Sequence, residues 1–572
     1  LRVSTEQVSQ ANKPKYNKEN KKAENDLSLS KEDLMKKKIF AMTAALCLTL
    51  TSFAGCGGNG KDGKSGGAKE AVAGYTGTDT VSNEYESVTV DGSAHEYKKA
   101  KDITDQEIEL TYFHFDQDET VQLLADRFME IYPNIHVNVK FEKVADYNTT
   151  LGTLVSNGET PDIIMHSDCD YALSNQLLAD ISSYWNSDEE TQGLADTVNS
   201  AQLGTYHLEG GQRYSVPVKF FPGAMFIDRN VLKTLNLEIP TQQWKWSDMI
   251  QLIKDATVLN SPDGMAYYGL GYYNRLDSYY GIAARQDIIG EFGFTGKTFD
   301  LSEWAIGEQE FSNLKLGGYI APQTETQEME DWMGDWEGWA GASSHCAVFT
   351  EAFWTFQNTW NTPGYKENYN MDIVPYVIPA VSDADAGADH HSIATIDYGG
   401  ITTSCAYPRE AYELLKFMSF GIDGWHTRCE IYGDESITNA SGTALKYDVM
   451  PVPITKDQGV WDAYIDVFCA GMDDEHVQLW RDYFNSCMQP ISYGWTNIAG
   501  YWNFCDEYFN SIGIHDLVDN GTAQAADYVD EANRKANYYH AQAMLDYFGP
   551  TGYNVLSESE QSEYQQMVTD NQ

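Results

Sequence analysis

An α/β body with more than one lobe is what this sequence predicts, and three observations predict it. Between residues 108 and 165, apolar alternation of period two and apolar stripes of helical period follow one another as strand, helix, strand, helix, strand. The chain has 572 residues, enough for two or more cores. Its cysteines signal neither a zinc site nor a disulfide scaffold: beyond Cys47 and Cys56, the irregularly spaced Cys169, Cys346, Cys405, Cys429, Cys469, Cys487 and Cys505 are odd in number and contain no CxxC.

Taken in chain order, residues 1–34 read as an over-extended gene start. They are polar, they precede a complete export signal, and Lys31-Glu32-Asp33 is what a ribosome-binding sequence ahead of Met35 would encode. Residues 35–55 are that signal: Met35 and three lysines, an apolar run from Ile39 to Phe53, then Ala54 and Gly55 before Cys56. The run, about 15 residues, is shorter than the roughly 20 a membrane helix needs. It resembles a bacterial lipobox, with Phe53 where Leu is commonest, and implies that Cys56 carries a lipid anchor on the outer face of the cytoplasmic membrane. Residues 56–105, rich in Gly, Ser, Thr, Lys and Asp, are expected to form a flexible tether with a reach of about 40 Å.

The tether contains two decoys. Gly58 to Ser65 satisfies the phosphate-loop pattern GxxxxGK[ST], and Gly63 to Gly67 satisfies GxSxG. Neither has the strand before it and helix after it that phosphate binding or a nucleophile elbow requires.

The body begins with strand Ile108 to Phe113. Val121, Leu124, Ala125, Phe128 and Ile131 then fall on one helical face, and Pro133 stops the helix. Ile135, Val137, Val139 and Phe141 alternate with polar residues as a half-buried strand, and Ile163-Ile164-Met165 is a continuous apolar run of the kind buried in a parallel sheet. Further on, Ala411, Leu414, Leu415 and Met418 make a helix face that Gly421 ends.

Charge narrows the function. With 85 acidic against 38 basic residues and a net charge of −47, the chain is a poor partner for nucleic acid and for a bare anionic lipid surface. The acidity itself is read as solubility. A metal loop at Asp383, Asp385, Asp389, His390 and His391 fails the calcium-loop rule, lacking Gly at the sixth place and Glu at the twelfth, and is read as a polar connection. Trp332, Trp336 and Trp339 have helical spacing, but Gly334, Gly338 and Gly341 weaken that helix, and packing is the expected role.

Across residues 106–572 the chain resembles the extracellular solute-binding proteins of ABC importers, family 1, in the carbohydrate group that includes maltose-binding protein. The landmarks are IYPNIHVNV, PDIIMHSDCDYALSNQLLADISSYW, RYSVPVKFFPGAMFIDRNVLKTLNL, CAVFTEAFWTF, DIVPYVIPAV and GGITTSCAYPREAYELLKFMSFG, in that order behind the lipobox. The resemblance implies a two-lobed periplasmic-binding-protein-like fold of type II, α/β, with a hinge and an interlobe ligand cleft. Lobe I would take 106–218 and 374–424, and lobe II 219–373 and 425–572. Crossings would fall at Val216 to Phe221 and Asn370 to Val374, with a return near Gly421 to Trp425; Pro217, Pro222, Pro375 and Pro379 accompany the first two.

The same resemblance implies a receptor, not an enzyme, that captures a sugar or oligosaccharide by hinge closure and hands it to ABC permease subunits. It would work as a monomer without cofactor, catalytic residue or bound metal. Sugars offer a C–H face for Tyr and Trp, of which there are 37 and 14, and a hydroxyl rim for polar side chains. The candidate ligand residues are His114, Asp116, His166, Ser167, Asp168 and Asp170 at strand ends; Lys219, Phe220 and Phe221 on the first crossing; and the aromatic positions Phe353, Trp354 and Trp502. The competing expectation is a lipid-anchored glycoside hydrolase, since carboxylates abound, although no HExxH or papain-like signature occurs.

Overall fold

The computed structural model describes residues 79–115, 119–166, 169–194, 204–272, 275–285, 287–322, 343–381, 392–486, 490–492 and 498–572. The signal, Cys56, both decoy loops, the Trp332 to Trp339 stripe, the Asp383 to His391 segment and Cys487 lie outside them.

The first described elements correct the tether. Strands β1 (Tyr85–Thr89) and β2 (Glu96–Ala100) pair antiparallel within the stretch whose composition suggested a tether to residue 105. Tyr97 anchors this hairpin: its ring is fully buried and its hydroxyl lies 3.2 Å from that of Thr427. One buried aromatic and its hydrogen bond are enough to tie down an otherwise polar hairpin, a signal that averaged composition hides.

β3 (Ile108–His114), β4 (Ile135–Phe141) and β5 (Ile163–His166) form a parallel trio with β3 central. Helix α1 (Thr120–Ile131) buries the whole stripe read from its sequence, Val121, Leu124, Ala125, Phe128 and Ile131. Helix α2 (Val144–Ser156) follows β4, and all four residues of β5 are buried, as a strand covered on both faces requires.

Among the described residues the sheet has nine strands, which include β6 (Val216–Asp228), β7 (Tyr268–Tyr272), β8 (Cys346–Ala352), β9 (Ile373–Tyr376), β10 (Ser392–Ile401) and β11 (Pro490–Ser492), in the order β4-β3-β5-β10-β6-β8-β7, with β11 beside β10 and β9 beside β6. β6 (Val216–Asp228) is the long strand of the first crossing. Its residues 216–222 pair with β10 (Ser392–Ile401), and its residues 223–227 pair with β8 (Cys346–Ala352). β10 runs antiparallel beside it and also reaches β5, so two adjacent strands carry the chain between the halves.

The second crossing therefore lies at β10 and not at Asn370 to Val374. There β9 (Ile373–Tyr376) pairs with Asp228 to Met225, the far half of β6. Nor does the chain cross at Gly421 to Trp425. Helix α3 (Cys169–Ser174) follows β5, and α4 (Trp246–Asp255), α5 (Leu276–Ala284) and α6 (Ser302–Leu316) belong to the second half, whereas α7 (Pro408–Met418) packs on α1 and β10. Gly421 begins α8 (Ile422–Gly433), which stays on α1 and α7. Pro217 and Pro222 lie within β6 and Pro375 within β9, so prolines here fall inside strands and do not by themselves mark lobe borders.

Three apolar clusters result. The largest surrounds β3 to β5 and continues past β6 to α9 (Gln458–Phe468) and α10 (Asp474–Ser486). A second lies on the other side of the far half-sheet, around Met225, Trp246, Leu270 and Phe311. A third joins Phe292, Phe299 and Trp304 to residues 498–536, among them Tyr501 and Phe504 of α11 (Tyr501–Phe504). Residues after 425 are thus shared out: α8 goes with the first half, while α12 (Val529–Phe548) reaches both the third cluster, through Ala532 and Ala536, and the first, through Met544 and Phe548. No helix among the described residues is long and apolar enough to cross a membrane.

Candidate functional site

A cavity of about 600 Å³ opens where the two crossing strands lie side by side. Its floor comes from alternate residues of each strand, Lys219 and Phe221 on β6 and Thr395 and Asp397 on β10, which share one face of the pleat. Lys219 stands opposite Asp397, where the register shifts by a bulge, and Thr395 stands opposite Phe221. Bulges of this kind re-aim side chains and are frequent beside functional sites.

Trp354, just past the end of β8, forms one wall. Its indole meets the Phe221 ring edge-on, with centroids 5.7 Å apart, and stays partly exposed. The rest of the lining is Glu119, at the start of α1, a tight loop at Asn439 to Ser441, and Asp448 and Val449 beyond it. The loop is built by its own residues. Asn439 Oδ1 accepts from the backbone N–H groups of Ser441 (3.1 Å) and Thr443 (3.0 Å), and Gly442, at φ +82°, takes the left-handed conformation that favours glycine. Two further bonds fix it over the cavity: Ala440 N donates to Glu119 Oε1 (2.7 Å) and Asn439 Nδ2 to Asp448 Oδ2 (2.9 Å).

Burial of the floor disfavours both of its charges. It pushes the Asp397 carboxyl up, with Lys219 drawing it back, and the Lys219 ammonium down, with Arg428 adding to the fall and Asp397 opposing it. The site therefore offers an aromatic face, a matched donor and acceptor pair at its base, and Thr395, Asn439 and Ser441 around it. Such groups suit reversible recognition of a polar solute with an apolar face.

Of the twelve residues proposed from sequence, the structure gathers Lys219, Phe221 and Trp354 into this cavity. His114 ends β3 with 4% exposure; burial, helped by Lys219, pushes its imidazole down to about 4, so it is neutral at physiological pH. His166 does not line the cavity. It is buried against Ser215 (Nε2 to Oγ 2.8 Å), which in turn meets the Tyr206 hydroxyl at 2.8 Å, and burial pushes its imidazole down to about 3. Asp170 accepts from Gly500 N at 2.9 Å and so ties α3 to the turn before α11.

Phe220 points to the other face of β6 and is core. Phe353 is fully buried between Phe468, stacked at 5.5 Å, and Trp480. Trp502 is 38% exposed on α11, edge-on to Tyr501, and lines no part of the cavity. Asp116, Ser167 and Asp168 lie outside the described residues. Sequence reasoning missed Glu119, Thr395, Asp397, Asn439, Ser441 and Asp448. Thr395 and Asp397 had a signal, two polar residues at alternate positions of an otherwise apolar strand; the loop residues showed only a turn.

Two other polar groupings differ in kind. A second cavity, of about 410 Å³, is lined by Trp360, Tyr365, Arg229, Asp372 and His476, but its charges satisfy one another: Arg229 Nε and His476 Nε2 each lie 3.0 Å from an Asp372 oxygen. Asp277, Glu308 and His515 lie close enough to hold a cation. The Arg275 guanidinium already stands there, 2.9 Å from both Glu308 and Asp519. The six described cysteines are all buried free thiols.

A two-lobed α/β body, joined by paired crossing strands with a cavity at the joint, defines a binding protein of the periplasmic type. The chain belongs to the bacterial extracellular solute-binding protein family, whose model matches residues 115–419. Solved structures share the fold. A sugar transporter from Rhizobium etli, in an open conformation, has a TM-score of 0.55 and 12% identity, over 75% of this chain and 98% of its own. The sugar-binding protein MalE from Xanthomonas citri has 0.53 and 14%, over 76% and 98%. An ABC substrate-binding protein from Listeria monocytogenes, in complex with cycloalternan, has 0.52 and 17%, also over 76% and 98%. Comparison with curated protein sequences finds no match.

Proposed function

We propose that this protein is the receptor of an ABC importer that captures a carbohydrate, a sugar or short oligosaccharide, and delivers it unchanged to permease subunits in the membrane. The observation that carries the reading is the partly exposed Trp354 indole lining the same cavity as the Lys219 and Asp397 pair where the lobes join. An indole covers the C–H face of a pyranose, and the charged pair, with Thr395 and Asn439, can satisfy hydroxyls that would otherwise be buried unpaired at about 1–3 kcal/mol each. The three solved structures above, a sugar transporter, a sugar-binding protein and a substrate-binding protein in complex with cycloalternan, support the same class. The lipobox supports a place outside the cytoplasmic membrane, with Cys56 as the anchor.

Calorimetric titration with a panel of oligosaccharides, each mixture then assayed for cleavage, tests the proposal. Saturable binding in the micromolar range, about −8 kcal/mol, with the sugar recovered intact is the expected outcome. Release of shortened sugar would instead identify a glycoside hydrolase working through the cavity carboxylates.

A further inference from the structure

We infer that the solute carries a positive charge, and that its class is an amino sugar or a short glycan with a free ammonium group. The inference rests on the carbohydrate reading above and narrows it. Five charged side chains bear on the cavity, and their exposure sorts them by sign. The cations are the more enclosed: Lys219 is 6% exposed in the floor opposite Asp397, and Arg428, whose charge acts on Lys219, is 3% exposed. The three carboxylates, Glu119, Asp397 and Asp448, are each partly exposed on the cavity surface.

A solute entering the cavity therefore meets more acid than base among its lining side chains. Glu119 accepts from Ala440 N, and Asp448 from Asn439 Nδ2 and Val449 N, neutral groups that orient the two carboxylates, while Lys219, which also feels the Asp448 charge, offsets part of it. Trp354 adds to the preference, because an ammonium is drawn to the face of an indole and more strongly when water is excluded. The whole molecule pulls the same way. At a net charge of −47 it attracts cations and repels uronates and phosphorylated sugars before contact.

The experiment is a titration of the purified chain at about pH 7, where most of a sugar amine is protonated and the Asp397 carboxyl, raised by burial, is ionised, with three ligands of equal length. These are a glucosamine trimer, its N-acetylated form and a maltotriose. The expected result is that the glucosamine trimer binds about tenfold more tightly than either neutral trimer. That ratio should shrink on raising salt to about 0.5 M, and in Asp448→Asn and Asp397→Asn. Equal or tighter binding of a neutral trimer, or a ratio indifferent to salt, overturns the charge assignment and leaves the carbohydrate receptor standing. Binding of none of the three overturns both the amino-sugar class and the carbohydrate reading, and spermidine bound in their place would keep only the positive charge.

Discussion

Trp354 and Phe353 are neighbours in sequence with opposite fates, and the contrast tells what each does. Phe353 is enclosed by Phe468, Trp480 and Phe484, whereas Trp354 turns to the cavity. Phe353→Ala should therefore cost about 3–5 kcal/mol of folding stability, read by denaturant unfolding. Trp354→Ala should leave the melting temperature nearly unchanged and weaken sugar binding about tenfold in a calorimetric titration. Lys416 offers a purely structural test. Its side chain is 4% exposed and its ammonium lies 3.1 Å from both Asp188 and Glu190, so Lys416→Ala strands one buried and one partly buried carboxylate. A loss of about 3–5 kcal/mol is expected, again by denaturant unfolding.

At the scale of elements, legibility followed periodicity. The α1 stripe and the continuous run of β5 could be read because burial repeats at the spacing of the element itself. Lys219, Phe221 and Trp354 came from a family resemblance at strand ends, which the cavity then gathered. Asp397 and Asn439 could not be placed that way, because they join Lys219 only through pairing across the sheet and a loop that folds back. His166 was lost for a related reason: whether a strand-end side chain faces a cleft or a neighbouring Ser215 is decided by residues remote in sequence. The packing of α7 against α8 gives a further expectation. A Cβ on Gly424 would sit 1.8 Å from the carbonyl oxygen of Phe417, so Gly424→Ala must push the two helices apart. A loss of about 1–3 kcal/mol or more in chemical unfolding is expected. Acid should loosen α6 from the segment ending at Asp519. Burial alone would raise that carboxyl, but Arg275, Lys315 and Ser312 override it and hold it well below the usual carboxylate range. Its contribution is complete above about pH 4, the unfolded value, and is lost as pH falls toward the folded one. An Asp519→Asn variant should lose stability at neutral pH and show a shallower acid dependence over that window.

For the molecule as a whole, the prediction concerns shape. Two strands side by side can bend together at the Asp397/Tyr398 bulge, so a solute that binds both sides of the cavity selects the closed arrangement. Small-angle scattering should show a smaller radius of gyration when saturating sugar is added, and unchanged dimensions would remove the hinge from the proposal. The pairing of β10 with β5 also sets the order in which the protein can mature. A nascent chain that has produced His166 holds an open sheet edge until Ile401 emerges, so the first half cannot finish before most of the second exists. The first half therefore stays open along that edge through the synthesis of β6 to β9.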